Sequence, residues 1–185
     1  SSGRASAGFV LLVLGFATKA GIVPLHIWLP RAHPVAPSHV SAVMSAAMVK
    51  TGVYGVLLVG WRLLPDGPRW WSITLLVVGL VSALYGILQA SVASDLKRLL
   101  AYSTTENVGL IVSAIALGEL FTASGRPEIA VVAALAAALL VVSHATFKTT
   151  LFLGAGSVLH ASGERDLDRL GGLGVTACCV EVAAL

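Results

Sequence analysis

The chain has 185 residues, 57% of them hydrophobic and only 11% charged, with a net charge of +3 and a mean hydropathy of +0.90. A soluble domain carries nearer a quarter charged residues, so this composition excludes an ordinary soluble globule and points to an integral helical membrane protein. The positive charges are few and scattered, and no basic patch suggests nucleic acid. Two adjacent cysteines, Cys178 and Cys179, read as small core residues, and no Cys/His spacing suggests zinc or an iron–sulfur centre. The start, Ser1-Ser2-Gly3-Arg4, lacks a methionine and the layout of a signal peptide, so the sequence reads as an internal piece of something longer.

The first apolar stretch runs over 5–29. It is interrupted by Pro24, and Pro30, Pro34 and Pro37 follow quickly. Proline removes a backbone donor and clashes with the preceding turn, so a broken helix and a tight connection are predicted. The second stretch, 38–60, starts at Ser38 as a plausible N-cap. The turn signal Pro65-Asp66-Gly67-Pro68 comes next, beside Trp61, Trp70 and Trp71, which fit an interfacial aromatic belt. The third stretch, 73–93, carries no charge and is long enough to span about 30 Å. A charged junction, Asp95 to Leu100, leads into a fourth stretch over 101–121 with a polar start. The fifth, 128–155, is alanine-rich. A polar connection, His160 to Arg169, precedes an apolar segment over 171–185. The expected fold is all-α: a polytopic transmembrane helix bundle of about five spans, the first one broken.

Three of the four lysines, Lys19, Lys50 and Lys148, sit inside these apolar stretches. Lys97 and the arginines fall in the polar junctions. A lysine at bilayer depth costs roughly 3 kcal/mol on insertion scales, and lysine, unlike arginine, readily gives up its proton when buried. The pattern suggests groups that load and unload protons inside a membrane. Lys19 stands beside the helix break, where freed backbone groups create a polar site; the alternative is a lysine reaching out to an interface. Lys50 lies about 15 Å from either end of its stretch, too far for such reaching. His39 is eleven residues earlier, close to three turns and so on the same face, with Ser45 on an adjoining face. His144 and Lys148 form an i, i+4 pair, which favours a relay because like charges side by side disfavour each other. Glu106 is the acid placed clearly within a span. One acid cannot neutralise three lysines, so a counter-ion for Lys19 is expected elsewhere in the full protein.

The same residues carry a family resemblance. The run from Lys19 to His33 (Lys-Ala-Gly-Ile-Val-Pro-Leu-His26-Ile-Trp-Leu-Pro-Arg-Ala-His33) resembles the lysine-bearing broken helix of the antiporter-like membrane subunits of respiratory complex I. It is equally similar to related subunits of formate-hydrogenlyase-type hydrogenases and of multisubunit sodium/proton antiporters. Met48-Val-Lys50-Thr-Gly-Val-Tyr-Gly55, Asp95-Leu-Lys-Arg-Leu-Leu-Ala-Tyr-Ser-Thr104 and Ser143-His144-Ala-Thr-Phe-Lys148-Thr-Thr-Leu-Phe-Leu153 match the later family motifs in order. Asp166-Leu-Asp-Arg-Leu-Gly-Gly172 and the Lys-Thr-Gly variant look most like the hydrogenase-type subunits.

The resemblance implies that residues 1–174 are part of a proton-translocating transmembrane domain, with 175–185 a truncated or divergent apolar tail. It implies proton translocation as part of a redox-driven complex, through Lys19, Lys50, His144 and Lys148, with His26, His39, Glu106 and Ser45 in support. No redox centre or cofactor is expected in this chain. Expected partners are the lipid bilayer, other membrane subunits and a peripheral redox arm. The expected location is the inner (cytoplasmic) membrane of a prokaryotic cell. Two alternatives stay open: a cation/proton antiporter subunit without a redox partner, and a truncated, nonfunctional copy.

Overall fold

The computed structural model of the chain describes residues 2–64 and 67–171. Helix α1 covers Ser2–Ala20 and ends at Gly21, whose φ of 74° favours glycine. The break predicted around Pro24 follows, over residues 21–28. A short helix, α2, covers Leu29–Val35; it tolerates Pro30 in its first turn, where a missing N–H costs nothing. Helix α3 spans Ser38–Leu63 and contains two π-helical turns, Met44–Met48 and Val59–Leu63. Helices α4 (Trp70–Ser91), α5 (Leu96–Ala123) and α6 (Pro127–Ser162) complete the described bundle. Four helices, α3 to α6, are long and apolar enough to cross a membrane. The all-helical, polytopic reading therefore holds.

Several boundaries differ from the sequence reading. Ser38 is the first helical residue of α3, not its cap, and Pro37 precedes it. The charged junction at Asp95 is the cap and first turn of α5: the Asp95 side chain accepts from the Arg98 backbone N–H at 2.8 Å. His160 lies within α6. Trp71 is not an interfacial belt residue. It is buried and stacked on Phe9 of α1 with ring centroids 4.2 Å apart, while Trp70 stays exposed. The apolar tail over 175–185, with Cys178 and Cys179, lies outside the described residues.

Small residues bring α4 and α5 together. A Cβ on Gly109 would stand 2.5 Å from the Gly79 carbonyl oxygen and 2.6 Å from the Ala83 nitrogen, so these backbones touch. Such contacts replace hydrophobic driving force where lipid is as apolar as the helix face. The opposite faces carry exposed Leu84 and Leu88 on α4 and Leu139 and Val142 on α6, an apolar surface suited to lipid or to further helices. At one end a clamp joins three connections. Arg165 donates to the Pro34 carbonyl at 2.7 Å and pairs with Asp95 at 3.7 Å, and Leu167 donates to the Ser94 carbonyl at 2.8 Å. This clamp holds the segment after α6 against the α2–α3 and α4–α5 connections.

Candidate functional site

The seam between α3, α5 and α6 gathers the buried polar groups. Lys50 projects from α3 just beyond the Met44–Met48 π turn. Its Nζ donates to the Ser45 carbonyl at 2.7 Å and meets His144 Nδ1 on α6. A protonated Lys50 makes Nδ1 the acceptor and leaves the imidazole proton on Nε2. That nitrogen is buried and has no hydrogen-bond partner among the described residues. One turn along α6, Lys148 is only 1% exposed. Its Nζ donates to the Leu100 carbonyl of α5 at 2.9 Å and to Ser103 Oγ.

These contacts close into a circuit. Thr104 donates to the Leu100 carbonyl at 2.9 Å, and Ser45 and Thr104 share a hydrogen bond of 2.9 Å between their hydroxyls. Ser45 therefore touches Lys50 through its carbonyl and Thr104 through its hydroxyl. Thr104 and Lys148 meet at one carbonyl. The two lysines are held by neutral acceptors, the imidazole of His144 among them. Glu106 on α5 lies within electrostatic reach of Lys148, but the two form no direct ion pair. A buried ammonium without a paired carboxylate is costly. An arrangement of closely spaced donors and acceptors with a surplus of bases can move a proton from one nitrogen to the next.

Other sequence-predicted residues are not part of this circuit. Lys19 sits in the last turn of α1 with its side chain exposed. Beside it, Trp28 closes over the break by donating Nε1 to the Thr18 carbonyl at 2.8 Å. His26 is buried edge-on against Tyr85, with centroids 4.7 Å apart, away from Lys50. His39 is exposed rather than on the Lys50 face. The π turn between them takes more residues per turn than an α-helix, so the three-turn register does not hold.

Three residues join the picture that the sequence reading left out. Lys97 is 3% exposed, not in an open junction, and its Nζ donates to the Ala36 carbonyl at 2.8 Å. His33 is fully buried, stacked on Phe152 at 4.6 Å, and within electrostatic reach of Lys148 and Lys97. Its signal was the histidine of the Arg31-Ala-His33 run, visible but not singled out. Glu119, near the C-terminal end of α5, is a second acid within a span. Its carboxylate accepts a 3.2 Å hydrogen bond from Ser72 of α4.

Four long apolar helices, three of which enclose a seam of basic side chains, define an integral, polytopic helical membrane protein. The sequence pattern of the NADH:quinone oxidoreductase/Mrp antiporter transmembrane family matches residues 1–184, and the chain belongs to that family. It is 60% identical over 92% of its length to an uncharacterized protein of Mycobacterium tuberculosis, covering 27% of that protein. It is 47% identical over 94% of its length to hydrogenase-4 component B of Escherichia coli, covering 26% of it. In structure it is similar to a chain of the Mrp complex from Dietzia sp. DQ12-45-1b. There the TM-score is 0.75 and the identity 25%, over 91% of this chain and 29% of that one. The chain thus spans about a quarter of the length of the curated relatives it matches.

Proposed function

We propose that the chain contributes the central proton path of a membrane subunit in a redox-driven complex of prokaryotic inner membranes. Lys50, His144 and Lys148 pass the proton, and Lys19 is a gated site beside the helix break. The observation that carries this reading is the part-buried contact of Lys50 with the buried His144, one turn from Lys148, in a seam with more bases than acids. A proton arriving at one nitrogen raises the cost of a proton on the next, so charge moves stepwise along the seam. Ser45 and Thr104 position the two ends of the circuit, and Glu106 tunes Lys148 through space.

The redox coupling is supported by the 47% identity to hydrogenase-4 component B. The likeness to a chain of the Mrp complex favours a second reading, cation/proton exchange without electron transfer. The deciding experiment uses the full-length protein in its complex, in sealed inverted vesicles. Proton uptake that requires an electron donor, and that falls in Lys50→Ala while electron transfer to an artificial acceptor persists, is the expected result. Proton uptake unchanged in Lys50→Ala would sink the relay. Uptake driven by a sodium gradient alone would replace the redox reading with the exchange reading.

A further inference from the structure

Far along α5 from the basic seam, a cavity of about 670 Å³ opens between the α3 end, the α4 start and the α6 start. Its walls are mostly apolar, including Leu64, Ala130 and Val131. Among the described residues, Glu119 is the single ionisable one that lines it. Arg62, Arg126 and Glu128 stand on neighbouring elements but are exposed and line no part of the cavity. Ser72 donates to Glu119 Oε2, whereas the buried Oε1 has no hydrogen-bond partner among the described residues. Two cavity-lining indole nitrogens, Trp61 Nε1 and Trp71 Nε1, are buried and unpartnered in the same sense, and Trp71 is 4% exposed.

The sequence keeps this carboxylate's place open. A Cβ on Gly60 of α3 would run into the Glu119 carboxyl oxygen, and a Cβ on Gly118 into the Trp61 ring. Buried donors and acceptors without protein partners are satisfied by ordered water where there is room for it, and here there is room. A carboxylate facing an apolar wall, with no cation beside it, is stabilised by taking up a proton.

The geometry points to Glu119 as a proton-binding site of its own, exchanging with water in the Trp61–Trp71 vestibule. This rests on the proton-translocation reading above for its use, but not for its protonation. Between the vestibule and the lysines, α5 presents the buried apolar residues Val108, Ile111, Val112, Ile115 and Ala116, and the one buried hydroxyl there, on Ser113, is taken up by the Gly109 carbonyl of its own helix. That apolar stretch separates the two sites, so Glu119 loads and unloads on its own side of the bundle.

The test uses the full-length protein in native membranes and a lipophilic carbodiimide, dicyclohexylcarbodiimide. This reagent adds a carboxylic acid across its N=C bond and leaves an N-acylurea of fixed mass. The expected result is an adduct on the Glu119 peptide, absent in Glu119→Gln and unaffected by sodium. Its yield falls about tenfold per pH unit once the carboxyl ionises. In the assembled complex, Glu119→Gln lowers proton translocation about tenfold or more, and Glu119→Asp recovers part of it. The inference is overturned if Glu119 stays unlabelled while another carboxyl of the same complex reacts, or if sodium protects it. Full translocation by assembled Glu119→Gln also overturns it. Failure of the translocation reading would show instead as normal pumping by Lys50→Ala, with the pH-dependent labelling of Glu119 intact.

Discussion

The two ends of α5 hold opposite charges in opposite ways. Near its start, Lys148 lies against the Leu100 carbonyl and the Ser103 hydroxyl, with Lys50 and His144 close by and no paired acid. Near its end, Glu119 lies against the Ser72 hydroxyl beside a cavity that no base lines among the described residues. Ser103 and Glu119 are about 24 Å apart along the helix, at 1.5 Å per residue. Charges so placed cannot neutralise each other directly. The basic seam is closely hydrogen-bonded, as a contact relay would need, whereas the acidic end borders a cavity, as exchange with water would need. A bundle built only for stability would bring such groups together or omit them.

The sharpest way to break that comparison is at Lys148. Replacing it with Ala removes the nitrogen shared by the Leu100 carbonyl and Ser103, and leaves both polar groups buried without it. Proton translocation by the assembled complex should fall by at least about 100-fold, the low end of what a positioned proton-transfer group contributes. Lys148→Arg should not rescue it, because arginine holds its proton permanently. Vesicle acidification measured against electron transfer checks this. Near-normal pumping by Lys148→Arg would show that the seam needs a fixed charge rather than a transferable proton.

His144 sharpens the same point. In His144→Phe the ring volume is largely kept and the nitrogens are lost, so translocation should drop about 100-fold, the low end for a positioned proton-transfer group. The double variant Lys50→Ala/His144→Phe should cost little more than the worse single variant, since residues acting as one unit are not additive. Fully additive losses in the acidification assay would separate the two residues.

How much of this could be read from sequence differs by region. The broken first helix was legible because proline acts locally, and so was the basic seam, because lysine within apolar runs is conspicuous at any register. The placement of His39 was not. The π turn at Met44–Met48 has no side-chain signature, yet it rotates everything before it. The burial of Lys97 was hidden because the carbonyl that receives it, on Ala36, is sixty-one positions away. Glu119 was missed for a similar reason. Nothing near it in the sequence marks it as special; its surroundings are Gly60 and Ser72, from two other helices.

Between the two sites, the α4–α5 contact fixes the spacing and gives a structural control. Gly109→Val would force side-chain atoms against the Gly79 carbonyl and Ala83, where the backbones already touch. Overpacking of this kind costs about 1–3 kcal/mol. The variant should lower the amount of assembled, detergent-stable complex, measured by size-exclusion fluorescence, and impair both ends of α5 together. A loss confined to one end would mean that the seam and the vestibule are not held by this contact.

The smallest effect is expected at the clamp after α6, outside the spans. The backbone N–H groups of Asp166 and Arg165 both donate to the Glu164 carboxylate and hold its pKa below the ordinary glutamate value of 4.5. A carboxyl lowered on folding adds stability that is complete above its unfolded pKa. That contribution is lost as the pH falls through the lowered folded value. Because Glu164 faces solvent, the contribution is slight. Glu164→Gln should therefore melt a little below wild type at neutral pH, and the gap should close as the buffer is taken below the usual carboxylate range. Melting curves of the two proteins over that range provide the check. A gap that widened in acid would mean that the ionised carboxylate is not what these two backbone donors stabilise, and would overturn this assignment.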